Sequence, residues 1–152
     1  LVPDGDDQLT SDHGFDLHSS GEQLKPIIAH LHSLGMRVSL FMDPDLEQIK
    51  LAKQVGADRI ELYTGPYAAA WHSDQLKSNQ FESIFQDHVA AAELATSLGM
   101  GVNAGHDLNL DNLAKFASIP SLLEVSIGHA FTVDSLAMGM PKAVQAYKAL
   151  LG

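Results

Sequence analysis

Cysteine is absent from the chain. That excludes a disulfide framework and a thiolate metal site, and it agrees with a reducing compartment. Positive charge is scarce, with 9 Lys and Arg against 19 Asp and Glu and a net charge of −10. No basic cluster occurs, which argues against a nucleic-acid partner. An anionic ligand would have to be held by local groups, against the sign of the overall field. No apolar run approaches the ~20 residues that a membrane helix requires, and the first residues lack a signal-peptide pattern. The expectation from these absences is a cytoplasmic protein with no membrane partner. The His-Glu-x-x-His, Walker and Gly-x-Ser-x-Gly patterns are missing too.

What is present fits one globular domain of 152 residues, 45% hydrophobic and 18% charged. The chain opens on Leu1-Val2-Pro3, as if inside a strand already under way, and closes on Lys148-Ala149-Leu150-Leu151-Gly152, a final helix turn. These ends read as the C-terminal part of a longer chain.

One unit recurs. Ser33-Leu34-Gly35-Met36-Arg37-Val38-Ser39-Leu40 resembles Ser97-Leu98-Gly99-Met100-Gly101-Val102-Asn103-Ala104, and Gln54-Val55-Gly56-Ala57-Asp58-Arg59-Ile60-Glu61-Leu62 fits the same mould. In each, a helix pattern stops at a glycine and a strand starts two or three residues later. Leu24, Ile27, Ile28, Leu31 and Leu34 mark a helix after Ser19-Ser20. Asp43-Pro44 reads as an N-cap followed by a first-turn proline, opening a helix to about Val55. Phe81, Ile84, Phe85, Ala92 and Ala95 form a third stripe, ending near Leu98. Asn109 or Asp111 opens a short helix through Phe116, and Val144, Tyr147 and Leu151 mark the last one. Met138 and Met140 read as packing residues.

Strands are expected at about 37–42, 59–63, 101–104 and 123–127. Short strands alternating with helices imply parallel βαβ units. The choice lies between an open doubly wound sheet and a (β/α)8 barrel. Four strands and the tail of a fifth at Leu1-Val2 amount to the second half of a barrel. The expected fold class is α/β, an incomplete (β/α)8 TIM barrel running from the end of strand 4 through helix 8. Residues 1–152 would then be the C-terminal part of a single barrel domain. Asp43, Glu61, Thr64, Asn103, His106 and His129 cluster at strand ends, where a barrel keeps its site.

Two of those ends carry Gly-His. In Asn103-Ala104-Gly105-His106-Asp107, Gly105 lets the backbone approach a ligand, and His106 titrates near neutrality as an acid or base. The alternative is a loop histidine satisfied by backbone. In Ser126-Ile127-Gly128-His129-Ala130, a helix-like stretch follows the pair, and peptide N–H groups at a helix start bind phosphate. The alternative is a glycine turn with a solvated histidine. Strand alternation sets Glu61 and Tyr63 on the face opposite Ile60 and Leu62. A carboxylate in a barrel mouth is partly desolvated and suits proton transfer. The alternative is a structural glutamate paired with an arginine. His30 and His32 point to different helix faces. His88 falls on an apolar stripe as a satisfied core residue, and His13, His18 and His72 read as solvated loop residues.

These residues carry a resemblance to the pyridoxine 5′-phosphate synthase family. It rests on Leu1-Val2-Pro3, Val38-Ser39-Leu40-Phe41, Ile60-Glu61-Leu62-Tyr63-Thr64-Gly65 with Tyr67-Ala68, Val102-Asn103-Ala104-Gly105-His106 and Ile127-Gly128-His129-Ala130, in that order. The resemblance implies a (β/α)8 barrel that condenses 1-deoxy-D-xylulose 5-phosphate with 3-amino-2-oxopropyl phosphate, releasing pyridoxine 5′-phosphate, phosphate and water. It implies no metal and no redox cofactor, and a homo-oligomer at full length. His106 matches the family's proton-donor histidine, and Glu61 a glutamate that stabilises transition states. Gly128 and His129 match a phosphate-holding pair, and Asp107 a contact to the amino-ketone. Thr10 matches a contact to the xylulose substrate, in a loop (Asp4 to His13) that this chain words differently. The family's proton-acceptor histidine and glutamate, its Asn-x-Asp-His stretch and its arginines belong to the first half of the barrel and have no counterpart here. On this reading the chain carries about half a site and is inactive by itself. An aldolase or epimerase on a similar barrel, or a non-catalytic domain binding a phosphorylated ligand, are the competing expectations. No lysine stands at a strand end to favour an aldolase.

Overall fold

The computed structural model describes residues 1–73 and 78–152. Its centre is a four-stranded, wholly parallel sheet in the order β1 (Ser39–Met42), β2 (Arg59–Tyr63), β3 (Gly101–Gly105), β4 (Leu122–Ser126). The fold is therefore α/β with consecutive strands adjacent, an arrangement compatible with part of a TIM barrel. Leu1 extends the sheet beyond β1: its amino group donates to Ser39 O (2.8 Å), and Phe41 N donates to Leu1 O (3.0 Å). One residue bonding both neighbours of its partner is the pattern of a parallel ladder, as the strand tail at Leu1-Val2 requires.

Alternation divides the sheet into two chemical faces. Leu40, Met42, Ile60, Leu62, Val102 and Ala104 are 0% exposed and form the packed face. Each fully buried Leu, Ile or Val contributes about 1.5–3 kcal/mol. The helices α1 (Leu17–Ser33), α2 (Leu46–Val55) and α4 (Asn79–Ser97) supply Leu24, Ile28, Ile49, Ala52, Phe85 and Ala92 to the same core. The opposite face carries Phe41, Glu61, Tyr63, Asn103, Gly105, Glu124 and Ser126, which stand in register across the four strands.

The glycine stops hold. Gly35, Gly56 and Gly99 take φ of 75°, 101° and 75°, the left-handed region where a β-carbon is strained. Three helix starts differ from the sequence reading, those of α2, α1 and a later short helix. The cap of α2 is Asp45, not Asp43, because its carboxylate accepts from Glu47 N (2.8 Å) and Gln48 N (3.1 Å), leaving Pro44 outside the helix. α1 begins at Leu17 under Asp16, whose carboxylate accepts from His18 N (3.0 Å). Ser19 and Ser20 therefore lie inside its first turn, and His18 is helical rather than in a loop.

A seven-residue helix, α3 (Gly65–Trp71), follows β2 directly and was not read from the sequence. α5 (Leu113–Phe116) ends where expected but starts later, because Asn109 Oδ1 closes a turn by accepting from Asp111 N (2.9 Å) and Asn112 N (3.1 Å). α6 (His129–Met138) and α7 (Met140–Leu151) complete the described chain. α6 buries none of its residues, and Met138 and Met140 are exposed rather than packed. Among the described residues no helix is long and apolar enough to cross a membrane.

Candidate active site

The C-terminal ends of β2, β3 and β4 open into a cleft of about 630 Å³ lined by Thr10, Glu61, His106, Asp107, Ser126, Gly128 and His129. A second cavity of about 340 Å³ adjoins it. Asp107, Gly128 and His129 line both. The six residues to which the family resemblance assigns roles thus meet at one rim, although Thr10 comes from the loop before α1 and His129 from the start of α6, whereas Asp43, Thr64 and Asn103 do not line the cleft.

His106 sits where the chain leaves β3 with φ of +96°, and Asp107 follows at +57°. A non-glycine residue held there costs about 1–3 kcal/mol and persists only when its surroundings fix it. Its ring nitrogens meet side chains rather than backbone. Nε2 lies 2.9 Å from Thr10 Oγ1, and Nδ1 lies 3.3 Å from Asp107 Oδ2. Tyr63 meets the ring edge-on, with centroids 5.4 Å apart, and Phe41 packs nearby at 6.3 Å. A proton on Nδ1 would be donated to Asp107, leaving Nε2 to accept from Thr10 Oγ1.

Glu61 lies on the same rim. Burial pushes its carboxyl above the usual range, while a hydrogen bond from Ser126, the charge of the Leu1 amino group and the nearby His106 pull the other way. The arginine that could have made it structural is engaged elsewhere. Arg59 Nη1 donates to Asn103 Oδ1 (2.8 Å) and to Glu124 Oε2 (3.2 Å), and among the described residues no cation pairs with Glu61.

Gly105 has a reason to lack a side chain within the fold itself. A β-carbon there would collide with Glu61 Oε1 and stand 3.0 Å from Ser126 Cβ. The glycine makes room for the carboxylate. Gly128 behaves in the opposite way: a β-carbon there would meet nothing within 4 Å and would project into open space. Its φ of −102° does not demand glycine. Gly128 is the N-cap of α6 and makes no side-chain cap bond, so the first N–H groups of that helix remain available to an anion. His129 is exposed beside it.

The remaining histidines divide. His88 is fully buried, with Nδ1 2.7 Å from Ile84 O and Nε2 3.0 Å from Tyr63 O, and is the satisfied core residue expected. His72 is exposed in the turn that closes α3, as expected of a loop residue, and it lines the smaller cavity with Nε2 3.1 Å from Asn109 Nδ2. One contributor, Ser126, has no role in the sequence reading, and Thr64 enters it only as a polar residue at a strand end. Ser126 reaches Glu61 and stands in register with Gly105. Thr64 is fully buried and bonds the Gly105–His106 turn. The available signal was position alone: each lies two or three residues from a residue already chosen. Among the described residues no group of three or more His, Asp or Glu side chains is arranged to hold a metal.

Comparison with known proteins bears on this geometry. The profile of the family described as pyridoxal phosphate biosynthesis protein PdxJ matches residues 1–152. A pyridoxine 5′-phosphate synthase of Xanthomonas campestris pv. campestris (strain B100) is 52% identical over 152 residues, covering 99% of this chain and 57% of that protein. The synthase of Albidiferax ferrireducens (strain ATCC BAA-621 / DSM 15236 / T118) is 50% identical over 148 residues, 97% of this chain and 57% of its own length. That of Brucella abortus (strain S19) is 50% identical over 148 residues, 97% of this chain and 58% of its own length. The chain thus spans less than two thirds of the curated relatives it matches.

Proposed function

Because the chain belongs to the pyridoxal phosphate biosynthesis protein PdxJ family, we propose that it serves pyridoxine 5′-phosphate synthesis, the activity named for its relatives. The reaction joins 3-amino-2-oxopropyl phosphate to 1-deoxy-D-xylulose 5-phosphate. The four-stranded sheet is then the second half of a (β/α)8 barrel, with residues 1–152 as the C-terminal part of one domain. The working enzyme is a cytoplasmic homo-oligomer.

The observation that carries this reading is the convergence of Thr10, Glu61, His106, Asp107, Gly128 and His129 on one rim of a parallel sheet. Ring formation requires an amine to attack a ketone, protons to move between carbons, and oxygen leaving groups to depart. Each step calls for a placed acid or base. His106 Nε2 gives a proton to a departing oxygen, and Asp107 beside Nδ1 stabilises the imidazolium from which it comes. Glu61, partly desolvated, stabilises positive charge that develops on the condensing amine. Gly128 and the N–H groups at the start of α6 hold a phosphate, with His129 as its side-chain partner. Asp107 contacts the amino-ketone through its backbone, and Thr10 contacts the xylulose substrate.

The test is to co-express this chain with the N-terminal region of the X. campestris relative and assay pyridoxine 5′-phosphate formation. The complex is expected to turn over, and His106→Asn is expected to cut kcat by at least ~100-fold with KM little changed. Turnover that survives His106→Asn would remove this residue from the mechanism. A folded complex with no turnover would remove the synthase reading.

A further inference from the structure

We propose that Thr64 is a positioning residue for His106, holding the backbone of the strand exit so that the imidazole stays between Thr10 and Asp107. The inference rests on the reading of His106 as the proton donor. Thr64 follows β2 and is 0% exposed. Its hydroxyl hydrogen is shared between the carbonyl oxygens of Gly105 (2.8 Å) and His106. Its backbone N–H also donates to Gly105 O (3.1 Å), carrying the β2–β3 ladder one residue past the Tyr63–Gly105 pair.

Two independent observations set this contact apart from routine satisfaction of a buried hydroxyl. Thr64 is the N-cap of α3, where a threonine oxygen ordinarily accepts from a helix N–H. It makes no such bond, and its hydroxyl faces β3 instead. The chain it holds is also the strained one, with His106 and Asp107 at φ of +96° and +57°. Three successive carbonyls in that turn are each held by a buried side chain. Thr64 holds those of Gly105 and His106, and Asn112 Nδ2 donates to that of Asp107 (3.1 Å). The hydrogen bonds of the His106 ring itself, to Thr10 and Asp107, come from exposed residues, while Tyr63 and Phe41 only pack against it. The buried hydroxyl is therefore the fixed end of the arrangement. Without it the turn relaxes and Nε2 swings out of line.

The test uses the complex with the X. campestris N-terminal region and three variants. Thr64→Val keeps the side-chain shape and loses the hydroxyl, Thr64→Ala loses it with less bulk should valine prevent folding, and Thr64→Ser retains it. The hydroxyl-free variants are expected to lose kcat on the order of 100-fold, the scale of an ångström-sized misplacement, with KM for both substrates little changed. Thr64→Ser should recover most of the rate. On the same samples, the ¹⁵N signals of the His106 ring should form one set in wild type and Thr64→Ser, and should shift or double in the other two. A rate within a few-fold of wild type in a hydroxyl-free variant would overturn the proposal. So would a serine variant as impaired as valine, or unchanged His106 ring signals. If the wild-type complex makes no pyridoxine 5′-phosphate, the synthase reading fails by itself, and the ring signals still decide the role of Thr64.

Discussion

Replacing Gly105 with alanine should separate stability from activity. The added β-carbon would collide with Glu61 Oε1 and stand 3.0 Å from Ser126 Cβ and 3.3 Å from Glu61 Cδ. Forcing a methyl into a close-packed core costs about 1–3 kcal/mol. Here the first atom met is the free end of a flexible side chain, so the carboxylate swings aside and the cost lies at the low end of that range. Gly105 is absent from the positive-φ residues, so alanine gains about 0.4–1 kcal/mol by restricting the unfolded chain. The two terms nearly cancel, and the net change in unfolding free energy is expected within about 1 kcal/mol of zero. Activity should not be spared. A carboxylate moved by about 1 Å costs on the order of 100-fold in rate. The assays are urea unfolding and pyridoxine 5′-phosphate formation, both on the complex with the X. campestris N-terminal region. Full activity in Gly105→Ala would refute the argument that this glycine exists to seat Glu61. A stability loss well above 3 kcal/mol would refute the claim that the displaced group is the mobile one.

Asp45→Ala should cost about 1 kcal/mol through loss of the α2 cap, with Asp43→Ala close to neutral, as read from urea midpoints; the reverse order would return the cap to Asp43. Glu61→Gln should stabilise the fold in a pH-dependent way. Burial raises the Glu61 carboxyl in the folded state, so its favourable contribution is complete below the ordinary glutamate value and is lost as pH rises through the raised one. The advantage of glutamine over wild type should therefore grow from acid toward neutral pH and then level off. Urea titrations at a series of pH values check this, and an advantage that shrinks as pH rises would contradict it.

The features legible in the sequence are those set by local rules. Gly35, Gly56 and Gly99 stop helices because a left-handed residue is required within the turn itself. Ile60 and Leu62 separate from Glu61 and Tyr63 because alternation is a property of one strand. The Gly-His pairs stood out because each follows a strand directly. What the sequence hid depends on partners far along the chain. α3 opens on Gly65-Pro66, which reads as a turn, and its Ala68-Ala69-Ala70 has no apolar period; Tyr67 anchors it by donating to Asn112 O (2.8 Å). Asp43-Pro44-Asp45 offers two caps, and only the direction in which the chain leaves β1 selects the second. The reason for Gly105 lies on the neighbouring strand, in the carboxylate of Glu61. Ser126 is an ordinary polar residue until the strand register brings it to Glu61, and Thr64, legible as a strand-end residue, shows its bonds to the His106 turn only in the fold.

The central claim is that a phosphorylated substrate binds at the exits of β3 and β4. The most direct test is a crystal structure of the complex with the X. campestris N-terminal region, grown with inorganic phosphate, for wild type and Gly128→Val. The account expects an anion on the N–H groups that follow Gly128, bordered by Asp107 and His129, and its loss in the valine variant, whose side chain fills the space now open at Gly128. Phosphate bound reproducibly at the opposite rim of the sheet, with these two loops empty, would contradict it.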